Sequence, residues 1–147
     1  MGATPSDGLK FMIFASAILG GIYMYKLALK MSNGRSAIAV ICSIIFLLLP
    51  YRIFCALARC AYAESIAMSL IPMVFYGVYS FIHDKEYRVE PYVVFASGAI
   101  LIVLSHPFTA LITVIFGVLY VLFNIKGVIA KIRDKRALIS LGSAIII

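Results

Sequence analysis

The sequence predicts an all-α fold: a polytopic bundle of transmembrane helices with about five complete spans and a truncated sixth, in a single domain over 1–147. Three observations predict it. Of 147 residues 64% are hydrophobic and only 13% charged, more apolar material than a soluble domain of this size needs for its core. The apolar residues fall in runs near the length that crosses a bilayer, about 20 residues for about 30 Å of hydrocarbon. The polar breaks between those runs alternate between strongly basic and nearly neutral.

The runs cover about 11–29, 37–54, 65–82, 92–105 and 108–125, and a sixth begins at Ala137. Thr4-Pro5-Ser6-Asp7 reads as a helix start, with Thr4 as cap, Pro5 in the first turn and Asp7 reaching back. In the first span Ser16 with Gly20, and Ala17 with Gly21, set small residues four apart, the pattern of closely packed membrane helices. Asn33-Gly34 is a tight-turn dipeptide that joins the first two spans as a helical hairpin. Pro72 lies mid-way along the third span, where it could kink the helix. The link from His83 to Glu90 mixes three acids with two bases and reads as solvated, with Tyr87 and Tyr92 as interfacial anchors. The fourth run is short, so its end at Ser105-His106-Pro107 sits below the membrane surface. From Lys126 to Arg136 the chain is most basic, which reads first as topogenic charge. Val128, Ile129 and Ile132 at helical spacing also allow this stretch to lie along an anionic inner leaflet. The sixth run reaches Ile147 after eleven residues, too few to cross, so the chain reads as a portion of a longer protein.

Charge sets the orientation, because Lys and Arg near span ends stay in the cytoplasm. On one side lie ten bases: Lys26, Lys30, Arg35, Lys85, Arg88, Lys126, Lys131, Arg133, Lys135 and Arg136. On the other lie three, Lys10, Arg52 and Arg59. The N-terminus and the breaks at Arg52–Glu64 and His106 therefore face outward from the cell membrane. The net charge of +7 is dispersed over span ends, not gathered on one surface with aromatic platforms, which argues against nucleic acid as a partner. Cys42, Cys55 and Cys60 have no histidine-bearing second set and read as small apolar residues. No cofactor is evident, and nothing in the sequence supports a divalent metal.

The outward break from Pro50 to Glu64 is apolar, small or aromatic apart from Arg52, Arg59 and Glu64. Charges at the bilayer centre cost about 2.5–3.5 kcal/mol each on insertion scales, so this segment belongs at the interface or around a cavity. Seven residues apart, Arg52 and Arg59 would share one helical face, about 10 Å apart along the axis. Glu64 falls about 140° from Arg59 in a continuous helix, so pairing the two requires a break near Ala61–Glu64. Guanidinium groups on such a face suit a phosphorylated lipid headgroup. Glu64 could orient an arginine, bind a sugar hydroxyl or act on a proton. Equally, both arginines could snorkel to outer headgroups while Glu64 neutralises one. His106, before a helix-opening Pro107, is either a helix cap or a contact for an anion or sugar hydroxyl.

The order Thr4-Pro5, Pro50-Tyr51-Arg52, Arg59-Cys60-Ala61 with Ala63-Glu64, Pro72, then Ser105-His106-Pro107 resembles a bacterial multi-spanning membrane family. That family is labelled 6-pyruvoyl-tetrahydropterin synthase-related and is similar in architecture to the GT-C glycosyltransferases; the label does not imply pterin chemistry. The resemblance covers nearly the whole chain and corresponds to a middle portion of a longer protein. Where the family has Arg-Gly-Ala, this chain has Cys60 in place of the glycine. The resemblance implies transfer of a sugar from a polyprenyl-phosphate carrier at the outer face, using an acidic base in a loop upstream of Met1. It implies that Arg52 and Arg59 hold the carrier phosphate, that His106 orients phosphate or acceptor, and that Glu64 fixes an arginine or a sugar hydroxyl. No residue here matches the base, so this portion alone is expected to be inactive. A lipid or polysaccharide flippase, or a non-catalytic membrane scaffold, is the alternative.

Overall fold

The computed structural model describes residues 5–84 and 88–132, and among them the only regular elements are helices. They are α1 (Pro5–Met31), α2 (Ser36–Leu47), α3 (Pro50–Leu57), α4 (Tyr62–His83), α5 (Glu90–Ser105), α6 (Pro107–Phe123) and α7 (Ile125–Ile132). The expected cap Thr4 and the apolar run 137–147 lie outside the described residues, as does Tyr87.

Helix α1 carries Asp7 in its first turn and Lys30 in its last, each favourable to the helix dipole. It ends where Asn33 and Gly34 both take positive φ, 55° and 85°, and the Gly34 amide donates to the Leu29 carbonyl at 2.8 Å. This is the turn the dipeptide predicted. The chain reverses there, and α2 returns along α1, tied to it by Ser43 Oγ donating to the Gly21 carbonyl at 2.8 Å. The second apolar run is not one helix. Leu49 is extended (ψ 120°) because the proline after it disfavours helical backbone, and α3 starts afresh at Pro50.

Helix α4 forms the centre, packed on α1, α3, α5, α6 and α7. It runs through Pro72 as one continuous element. Ile66, Leu70, Met73, Val74 and Tyr76 of α4 bury their side chains with Leu27 of α1, Val94 and Ile102 of α5. Small residues set how close the neighbours come. A Cβ on Gly20 of α1 would lie 2.2 Å from the Ser69 carbonyl oxygen of α4, and one on Gly77 of α4 would lie 2.5 Å from Phe95 Cβ of α5. Such contacts hold helices together in lipid, where burial of apolar surface gives little drive.

Helices α2 and α6 bury almost nothing: Ile45 is 59% exposed and Val114 60%. Large apolar residues cover the outside as well as the core, which a soluble bundle does not allow. Among the described residues three helical stretches are long and apolar enough to cross a membrane: Ser6–Met31, Ser36–Leu57 and Tyr62–His83. The pair α6–α7 makes a fourth if a bend of 82° is allowed within one span. The five complete spans expected from the runs are thus not reached: α5 has 16 residues and α6 has 17, about 24 and 26 Å at about 1.5 Å per residue.

Candidate functional site

Ionisable groups collect at the two ends of the bundle. One end is formed by α3, the turn after it and the first turn of α4. Helix α3 stops at Leu57, and the Arg59 amide folds back to the Phe54 carbonyl at 3.0 Å while the Ala61 amide reaches the Cys55 carbonyl at 2.8 Å. Cys60 takes a left-handed conformation, φ 52°, to complete the reversal. This supplies a reason for the glycine that the resemblance places there: the position needs positive φ, which glycine adopts without steric cost.

The reversal carries Glu64 back over α3. Tyr51 Oη donates to Glu64 Oε1 at 2.7 Å and accepts from Arg59 Nη1 at 3.0 Å. Arg59 Nη1 also lies 3.5 Å from Glu64 Oε2 and 3.9 Å from Cys55 Sγ. The break that pairing required is therefore present, at Ala58–Ala61, slightly before the expected place. Glu64 is mostly covered, its side chain 18% exposed, and sits in the first turn of α4 where the helix dipole favours a carboxylate. The Tyr51 hydroxyl and the Glu64 carboxylate hold the Arg59 guanidinium above its ordinary pKa, so it is a fixed cation. All its contacts run through Nη1, and Nε and Nη2 make no hydrogen bond among the described residues.

Arg52 does something else. It is 8% exposed, donates from Nε to Ser69 Oγ of α4 at 2.9 Å and from Nη1 to the Leu47 carbonyl at 3.1 Å, and lies over the Phe46 ring at 6.0 Å. Ser69 Oγ in turn donates a hydrogen bond to the Ser65 carbonyl at 2.8 Å. Arg52 thus caps the end of α2 and pins the α2–α3 break to α4. The common face expected for Arg52 and Arg59 does not form, because α3 ends before Arg59 and the two guanidiniums point to different surroundings. His106 is the N-cap of α6: Nδ1 accepts from the Thr109 amide at 3.2 Å and lies 2.8 Å from Thr109 Oγ1. The up-and-down helix order puts it at the same end as Arg59, but no hydrogen bond joins it to Arg59 or Glu64. Among the described residues no group of three or more His, Cys, Asp or Glu is placed to hold a metal ion.

The other end holds a cluster that sequence reasoning did not find. Lys26 pairs with Glu90 at 2.8 Å; Lys30 pairs with Asp84 and donates to Ser80 Oγ at 2.7 Å. Both ammonium groups lie over the Tyr76 ring, at 5.8 and 4.8 Å, and Lys26 also over Tyr23 at 5.1 Å. Lys131 of α7 donates to the Asp84 carbonyl. Beside them is a cavity of about 410 Å³ lined by Lys30, Tyr76, His83, Asp84, Arg88 and Glu90. The described ends of the link read as solvated are instead docked on α1, and Tyr92 packs edge-on against Phe81 with ring centroids 6.2 Å apart. The available signal was Lys26 and Lys30 four apart, with Ser80 and Asp84 at the same spacing on a facing helix.

Long apolar helices joined by close small-residue contacts, with most of their ionic groups at the two ends, define an integral membrane protein. The particular family is shown by its sequence model, described as 6-pyruvoyl-tetrahydropterin synthase related domain, a membrane protein, which matches residues 3–147; the chain belongs to that family. No curated protein and no solved structure matches it.

Proposed function

We propose that this chain is the membrane-embedded portion of a GT-C-like glycosyltransferase that binds a polyprenyl-phosphate-linked sugar at the extracytoplasmic face, with Arg59 as the residue that meets the phosphate. The observation that carries this reading is the half-used guanidinium. Tyr51 and Glu64 fix one edge of Arg59, while its side chain remains 47% exposed and its other nitrogens have no partner among the described residues. A pre-oriented donor edge at a span end suits a phosphate oxygen, and little side-chain entropy is left to lose on binding. The ten-to-three distribution of bases supports an outward position for this end.

Within this reading the roles divide. Glu64 and Tyr51 position Arg59. Arg52, buried under α2 and α4, maintains the break that presents them and does not meet the ligand. His106 orients phosphate or acceptor through Nε2, its Nδ1 being engaged in the cap.

The test is binding of polyprenyl phosphate, with neutral polyprenol as reference, to the protein in nanodiscs. Arg59→Ala is expected to weaken phosphate binding by about ten- to a hundred-fold and leave polyprenol binding unchanged. Equal binding by wild type and Arg59→Ala, with altered melting alone, would make the turn a scaffold element and end the proposal.

A further inference from the structure

Helix α7 leaves α6 at 82° through a single residue, Asn124, which bonds to both helices. Asn124 ends α6 by donating its amide to the Tyr120 and Val121 carbonyls and its side-chain Nδ2 to the Tyr120 carbonyl at 2.9 Å. Its own carbonyl then accepts from Gly127 at 2.9 Å and Val128 at 3.1 Å, opening α7. Asn124 thus bonds to both helices, closing α6 and opening α7, so specific contacts hold the corner.

The depth of α7 follows from its contacts. Lys131 bonds the Asp84 carbonyl at the end of α4, whose 22 residues measure about 33 Å, the full hydrocarbon thickness. A helix fixed at that level, nearly perpendicular to α6, lies at the membrane surface. Its residues divide accordingly. Val128 is buried, and Gly127 lies so close to Ile82 of α4 that a Cβ there would be 3.0 Å from the isoleucine. Ile125 and Ile129, one turn apart, remain 42% and 58% exposed beside Phe123 at 87%, and Lys126 projects about 100° away from Ile125. Lys126 is exposed and has no ion pair among the described residues.

We infer that α7 is an interfacial helix that docks on the anionic headgroups of the adjacent leaflet, with Ile125 and Ile129 in the acyl boundary and Lys126 at the phosphates. Apolar side chains that dip below the headgroups and a base beside them are the combination that binds acidic lipid. The inference is independent of the sugar-transfer reading.

The chain contains no tryptophan, so single Trp variants report one position each. Full-length Ile129→Trp and Ala130→Trp are placed in phosphatidylcholine vesicles with and without phosphatidylglycerol, using lipids brominated near the carbonyl or near the terminal methyl. Expected for Ile129→Trp is strong quenching by the shallow bromines and little by the deep ones; Ala130→Trp should respond to aqueous iodide instead. Phosphatidylglycerol should deepen the Ile129→Trp response, and Lys126→Gln in that background should abolish the gain. Strongest quenching by the deep bromines would make α7 the continuation of a span. Absence of quenching by either label would mean that protein covers the face, and a phosphatidylglycerol effect that survives Lys126→Gln would remove the headgroup contact. Each of these overturns the inference.

Discussion

The two ends of the bundle use the same kinds of side chain in opposite ways. At the Arg59 end the ionic contacts are local: Arg59, Tyr51 and Glu64 lie within 13 residues of one another in sequence, on α3, its turn and the start of α4. At the Lys30 end they are remote, with separations of 54 for Lys30–Asp84, 64 for Lys26–Glu90 and 47 for Lys131–Asp84. A local cluster closes a turn and can change without moving a helix. A remote one holds α1, α4, α5 and α7 in register. The difference separates two jobs: the Lys30 end fastens the bundle, whereas the Arg59 end leaves a guanidinium exposed, on which the proposed binding rests.

The largest expected effect breaks the fastened end. Asp84→Ala removes the partner of Lys30, with both side chains only 28% exposed, and should lower stability by about 1–3 kcal/mol, less than for a fully buried pair. Thermal melting in detergent reads it. Glu64→Ala at the other end should leave the melt near wild type, because Arg59 there is half open to solvent. Equal losses from the two changes would erase the distinction between the ends.

Arg52→Ala comes next and sharpens the division inside the Arg59 end. It removes hydrogen bonds to Ser69 and to the Leu47 carbonyl but also relieves the arginine's desolvation, a net loss of about 0.5–1.5 kcal/mol, so its melting temperature should fall while Arg59→Ala melts normally. If Arg52→Ala instead lost phosphate binding with an unchanged melt, the two arginines would act as the paired clamp that their seven-residue spacing first implied.

Those contrasts explain which features were legible in the sequence. The Asn33-Gly34 turn, the close approach at Gly20, the N-terminal placement of Pro107 and the need for a break between Arg59 and Glu64 all follow from local backbone rules or from spacing. The shared face of Arg52 and Arg59 failed because it assumed one helix through a stretch where the chain reverses. The Lys30 cluster stayed hidden for a different reason. In a membrane both the lipid-facing and the buried sides of α1 are apolar, so periodicity does not reveal which face meets α4, and partners 54–64 residues apart cannot be assigned from either segment alone. Length alone also hid an interruption: the run 37–54, uncharged but for Arg52, falls within the span-length stretch Ser36–Leu57, yet Pro50 divides it by denying Leu49 a helical backbone.

The smallest expected effect concerns the turn that makes the local end possible. Cys60 holds φ at 52°, a conformation that costs a residue with a Cβ about 1–2 kcal/mol and glycine little. Changing Cys60 also removes its thiol, so a comparison with wild type alone would mix two effects. Cys60→Ala and Cys60→Gly both remove the thiol, and they differ only in the Cβ. Cys60→Gly should therefore melt higher than Cys60→Ala, by a difference of about 1 kcal/mol, reduced by the extra chain entropy that glycine brings to the unfolded state. Because the strain lies in the turn and not in the helices, neither change should alter the loss caused by Asp84→Ala when the two are combined. A strong coupling between positions 60 and 84 would mean that the turn and the remote cluster form one cooperative unit, and the contrast between the ends would have to be given up.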